Sequence, residues 1–147
     1  MTRRELREHC FKMLFCADFY TKEETGEQLD QYFEEPDEDD VTPEGICEII
    51  HSTVSDARDS EYLKHKTEAI IEKIPELDEK INDVATGWQT KRMGKVELTI
   101  LRLALYEILY DEDVPEKVAI NEAVDIAKKF GGDESPAFIN GILAKLV

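Results

Sequence analysis

Cysteine is scarce in this chain and poorly spaced for metal or disulfide chemistry. Cys10, Cys16 and Cys47 are an odd number with no C-x-x-C pair, and the first two fall on a helical pattern, so they read as small core residues or reduced thiols. Three histidines, His9, His51 and His65, stand far apart without H-E-x-x-H or comparable ligand spacing, which gives no metal site and no general base. Neither a phosphate-cradling glycine loop nor a nucleophile elbow is present, so the chain is read as a non-enzyme without cofactor or metal. No apolar run approaches the roughly 20 residues of a membrane span, and the amino terminus lacks the apolar core of a signal peptide. A soluble, cytoplasmic protein is expected. Strand signals are missing as well.

What is present suffices for an all-α fold. The 147 residues, 41% of them hydrophobic, can bury a real interior. They suit one domain spanning 1–147, with an amino-terminal half of about 1–59 and a carboxyl-terminal half of about 60–147. A net charge of −16 would ordinarily oppose nucleic acid, because a polyanion repels an acidic surface. Its distribution matters more. From Lys22 to Tyr62 there are 15 acidic and 2 basic residues, a net of −13 that leaves only −3 elsewhere.

Thr2 and Glu5 form a capping-box signature, and Leu6, Cys10, Met13, Leu14 and Ala17 follow as an apolar stripe, which predicts a first helix over about 2–19. A weaker helix over about 23–35 carries Leu29, Tyr32 and Phe33. Pro36 to Asp40 reads as an acidic, solvated loop, because nothing fixes its carboxylates in ligand geometry. Thr42 and Pro43 then cap a third helix carrying Ile46, Ile49, Ile50 and Val54. A fourth uses Leu63, Ile70, Ile71 and Ile74, and Pro75 is expected to interrupt it before another turn or two through Leu77, Ile81 and Val84.

Lys95 to Tyr110 is expected to be the central helix, apolar on most sides, with Thr99, Arg102 and Tyr106 as a narrow polar stripe facing solvent or a partner. Glu97 falls inside its apolar arc near the amino end, a costly place unless the carboxylate is partnered or reaches solvent. After Pro115 and Glu116, Ala119, Ala123 and Ala127 make a small-residue ridge for close helix approach. Gly131 and Gly132 suit a left-handed stop. Ser135 and Pro136 read as N-cap and first residue of a last helix built on Ile139, Ile142, Leu143 and Leu146. About seven helices result.

Basic residues collect at two helix starts. Arg3, Arg4 and Arg7 open the first helix, where the dipole disfavours cations, so helix stability does not explain them. Lys91, Arg92 and Lys95 precede or open the central helix. At about 100° per residue, Arg7, Phe11, Arg4 and Phe15 share the flank beside the apolar stripe. Cations interleaved with flat rings are what single-stranded nucleic acid requires. The alternative is that both phenylalanines belong to a wide core face and the arginines are merely solvated. Phe138, beside the last helix's core stripe and on the side of Lys145, offers the same choice between stacking and packing.

Three runs carry a family resemblance. They are Lys95-Val-Glu-Leu-Thr-Ile-Leu-Arg-Leu-Ala-Leu-Tyr-Glu107, Val114-Pro-Glu-Lys-Val-Ala-Ile-Asn-Glu-Ala-Val124 and Ala127-Lys-Lys-Phe-Gly-Gly-Asp-Glu-Ser-Pro-Ala-Phe-Ile-Asn-Gly141. Together they resemble the carboxyl-terminal signature of the NusB family of transcription antitermination factors, and the first helix resembles that family's arginine-rich segment. The resemblance implies an all-helical fold of two three-helix halves around a central helix. It also implies a non-enzymatic role: binding the boxA element of nascent ribosomal RNA together with NusE, a small-subunit ribosomal protein, within the RNA polymerase antitermination complex. Carried over by position, RNA contacts fall on Arg3, Arg4, Arg7, Phe15 (where the family often has Tyr), Glu97, Glu134 and Phe138. Arg92 and Lys95 join them on charge alone. NusE is placed on about the fourth to sixth helices, and an exposed apolar strip there could serve NusE or a second copy in a homodimer. The same fold leads ribosomal RNA cytosine methyltransferases; with no methyltransferase sequence after Val147, a stand-alone factor is expected. The remaining alternative is an acidic protein-protein scaffold without sequence-specific RNA binding.

Overall fold

In a computed structural model the described residues are 1–17, 57–85 and 93–147, and all their regular structure is α-helical. The helices are α1 (Arg3–Ala17), α2 (Ala57–Val84), α3 (Lys95–Tyr110), α4 (Glu116–Phe130) and α5 (Ser135–Leu146). The helices expected over about 23–35 and after Thr42 lie outside the described residues, as does Arg92. Two compact units divide the chain, Met1–Ala69 and Ile70–Val147.

In the first unit the capping box forms as expected. The Glu5 backbone N–H donates to Thr2 Oγ1 at 3.1 Å, and the Thr2 N–H donates to Glu5 Oε1 at 3.3 Å. Helix α1 rests on the opening of α2 through Cys10, whose thiol lies 3.6 Å from the buried Thr67 hydroxyl, and through Met13, whose sulfur accepts from Thr67 at 4.0 Å. Cys16 is disulfide-bonded, which departs from the expectation of reduced thiols. The Met1 ammonium pairs with Asp59 at 3.2 Å.

Pro75 corrects the helix count. Rather than ending a helix it sits inside α2, which runs unbroken for 28 residues. An interior proline costs about 3 kcal/mol through a lost hydrogen bond and a ring clash. Several contacts in the second unit offset that cost. Leu77 and Ile81 are fully buried, Asp78 receives the Arg102 guanidinium fork at 2.8 and 2.7 Å, and Glu76 accepts from the Tyr110 hydroxyl at 2.8 Å. Such long-range anchors hold the helix past a residue that local propensity would treat as a stop.

Helix α3 packs against α4 and α5, and these two pack on each other. Leu98, Ile100, Leu101, Leu103, Ala104 and Leu105 are buried, as the apolar arc requires. Each large aliphatic side chain so buried contributes about 1.5–3 kcal/mol. Ala119, Ala123 and Ala127 are buried too, so the small-residue ridge meets a neighbour as expected. The polar stripe of α3, however, is largely occupied: Thr99 is buried and donates to the Lys95 carbonyl at 2.6 Å, while Arg102 is engaged by Asp78. Gly131 is also corrected. Its φ of −95° and ψ of −179° are extended, not left-handed. Glycine is required there by close approach, since a Cβ would lie 2.6 Å from Ser135 Cβ and 2.8 Å from the Ala127 carbonyl oxygen. No helix among the described residues is long and apolar enough to cross a membrane.

Candidate nucleic-acid interface

The first unit presents Arg3 and Arg4 to solvent in the opening turn of α1. Arg7 does not share their exposure; its residue surface is 6% accessible. Phe11 and Phe15, 0% and 2% accessible, are core rings whose centroids stand 6.2 Å apart. The aromatic flank of α1 is therefore interior, and Phe15 offers no face on which a base could stack in this structure. Of the two readings open from the residues, the wide core face holds for the phenylalanines, because α1 is buried on nearly every side from His9 to Phe15. Burial, then the neighbouring Lys12, lowers the His9 pKa, which favours the neutral imidazole.

The second unit assembles its candidates more tightly. Helix α3 opens on exposed Lys95, and Glu97, the third residue, is half-buried. Across from it, α5 begins after Glu134, which is the N-cap in place of the expected Ser135; Ser135 is the first helical residue and Pro136 the second. The Ser135 hydroxyl therefore has no capping duty in its own helix and turns outward from it. It donates to Glu97 Oε2 at 3.2 Å and accepts from the Gly132 N–H at 3.1 Å. This contact joins the starts of α3 and α5. Glu134 is exposed beside Ser135, and Phe138, one turn on, is half-buried. The structure thus gathers Glu97 with the α5 start that carries Glu134 and Phe138, and it supplies the partner that the placement of Glu97 demanded.

Ser135 was legible only as a cap, and Gly94 had no assigned part. Gly94 precedes α3 with φ −63° and ψ 151°, a conformation open to any residue. Yet a Cβ on it would stand 2.5 Å from Glu97 Oε1. Nothing in local sequence links residues 38 positions apart, so the Ser135–Glu97 pair has no signal in a single chain. No group of three or more potential metal-ligating side chains occurs among the described residues. What this surface can do chemically is accept and donate hydrogen bonds and offer cations and part of one ring.

Comparison with known proteins covers the full chain. The model of the NusB family matches residues 4–147. The chain is similar to the transcription antitermination protein NusB of Agathobacter rectalis, at 46% identity over 147 residues covering 99% of this chain and 98% of the relative. It is equally similar to the protein of that name from Lachnoclostridium phytofermentans, at 46% identity with 100% and 99% covered. A solved structure of NusB from T. maritima superposes with a TM-score of 0.73 at 31% identity, covering 99% of this chain and 90% of that one.

Proposed function

The chain belongs to the NusB family of transcription antitermination proteins, and from that premise we propose that it binds the boxA element of nascent ribosomal RNA together with NusE and joins the RNA polymerase antitermination complex. It acts by binding, not by catalysis. The observation that carries this reading is the Ser135–Glu97 hydrogen bond, which joins the start of α3, with Glu97 and exposed Lys95, to the start of α5, with Glu134 and Phe138. Lys95 there, and Arg3 and Arg4 on α1, meet phosphates; Arg92 adds a further cation. Glu97 and Glu134 accept from base edges, and Phe138 turns its accessible edge to a base. Arg7 and Phe15 are buried in this structure, so the exposed Arg3 and Arg4 carry the α1 contact in this reading.

NusE meets the second unit in this reading. Support comes from Leu109, Tyr110 and Val118, large apolar residues each 41% exposed around the α3–α4 turn. In the sequence of the first unit, the concentrated acidic charge between Lys22 and Tyr62 separately suits a basic ribosomal protein.

Fluorescence anisotropy of labelled boxA RNA and of a scrambled RNA, with NusE present, tests the proposal. Tighter binding of boxA is expected. Equal binding of the two RNAs would leave an acidic protein-protein scaffold as the better description.

A further inference from the structure

Two separate stretches of the second unit, Gly94 and the turn from Gly131 to Ser135, meet at one carboxylate. From one side the Ser135 hydroxyl accepts the Gly132 N–H at 3.1 Å and has its single hydrogen left for Glu97 Oε2, 3.2 Å away. From the other side, the missing side chain of Gly94 makes the space in which Glu97 Oε1 sits, since a Cβ would come within 2.5 Å of that oxygen. The backbone of Gly94 has no need of glycine, so the space itself is what glycine supplies. Behind Ser135, Gly131 does likewise: a Cβ there would lie 2.7 Å from Ser135 Oγ. One oxygen of Glu97 is committed to Ser135, and the other lies where a larger residue at 94 would displace it.

We propose that Ser135 is a positioning residue that holds the Glu97 carboxylate in one orientation, in space that Gly94 leaves open, as a reader of an RNA base bearing an exocyclic amino group. The inference rests on the reading that Glu97 meets RNA. A carboxylate only accepts hydrogen bonds, so it complements the amino groups of cytosine, adenine and guanine and opposes the carbonyl that uracil presents in their place. A flexible glutamate would lose rotamer freedom on binding each base; one already seated by Ser135 loses less and discriminates more. Lys95, two residues earlier, supplies a cation that serves phosphates of any sequence.

The test measures binding of boxA RNA, with NusE present, against RNAs in which the amino-bearing bases are replaced one at a time by analogues lacking the amino group. For the unaltered protein one replacement weakens binding about tenfold. In Glu97→Ala that penalty disappears. In Ser135→Ala and in Gly94→Ala it shrinks to about threefold or less, while thermal melting shows both variants folded; Gly94→Ala removes no functional group and acts only by moving the carboxylate. Two results would overturn the inference: no amino deletion costs the unaltered protein anything, or folded Ser135→Ala and Gly94→Ala both keep the full penalty. Loss of all preference for boxA over scrambled RNA in the unaltered protein would instead overturn the preceding reading, and this one with it.

Discussion

Helices α1 and α3 open alike and end up differently employed. Each begins with basic residues, Arg3 and Arg4 in one and Lys95 in the other, and each has glutamate as its third residue. Glu5 turns back on its own helix and accepts the Thr2 N–H, closing a capping box. Glu97 follows Gly94, which has no side chain to cap with, and accepts instead from Ser135 of another helix. The residue before the helix decides which course the glutamate takes. With threonine there the pair is self-sufficient; with glycine the carboxylate is left for a tertiary contact.

The largest effect expected on this contrast comes from the core behind the second start. Leu101→Ala, at a fully buried position of α3, should cost about 2–5 kcal/mol in a denaturant titration. It should disturb RNA binding only through folding. A smaller loss, about 1–2 kcal/mol, is expected for Asp78→Ala, because its ion pair with Arg102 is only partly shielded, with side chains 22% and 12% exposed. That variant also asks whether α2 stays helical beyond Pro75 once an anchor is removed; a drop in helical circular dichroism at unchanged temperature would show that it does not.

Smaller still is Thr2→Ala, which removes the capping hydroxyl for about 1 kcal/mol, or about 3 °C in melting temperature, with RNA affinity unchanged. A pH series sharpens the point. The side-chain hydrogen bond from Thr2 holds the Glu5 carboxyl below its ordinary value. Its contribution to stability is therefore present above the ordinary carboxylate range and is lost as pH falls through the lowered value. In Thr2→Ala that acid-side decline should be shallower than in the unaltered protein.

Much of this was legible in the sequence, and the boundary is physical. Stripes at i, i+3 and i+4 betray a helix and its inner face, so the burial of α3, the alanine ridge of α4 and the Thr2–Glu5 box could be read directly. Patterns of that range say nothing about partners 24 or 38 residues away. The occupation of the α3 polar stripe by Asp78, the persistence of α2 through Pro75 and the Ser135–Glu97 contact all depend on such partners. The α1 wheel failed for a related reason. It separated a core stripe from an aromatic flank, but it could not tell that the flank is covered too, leaving Phe11 and Phe15 inside. At Gly131 the residue type was informative and the cause was not, because close approach and left-handed backbone both select glycine.

The central claim, that the two glutamates do different work from the same helical position, is tested most directly by measuring melting temperature and boxA affinity with NusE for Glu5→Ala and Glu97→Gln side by side. Glu5→Ala is expected to lower the melting temperature and leave affinity as it was. Glu97→Gln, which keeps an oxygen for Ser135, is expected to hold the melting temperature and weaken RNA binding about three- to tenfold. If both substitutions move the same quantity, or if Glu97→Gln binds boxA as tightly as the unaltered protein, the claim is contradicted.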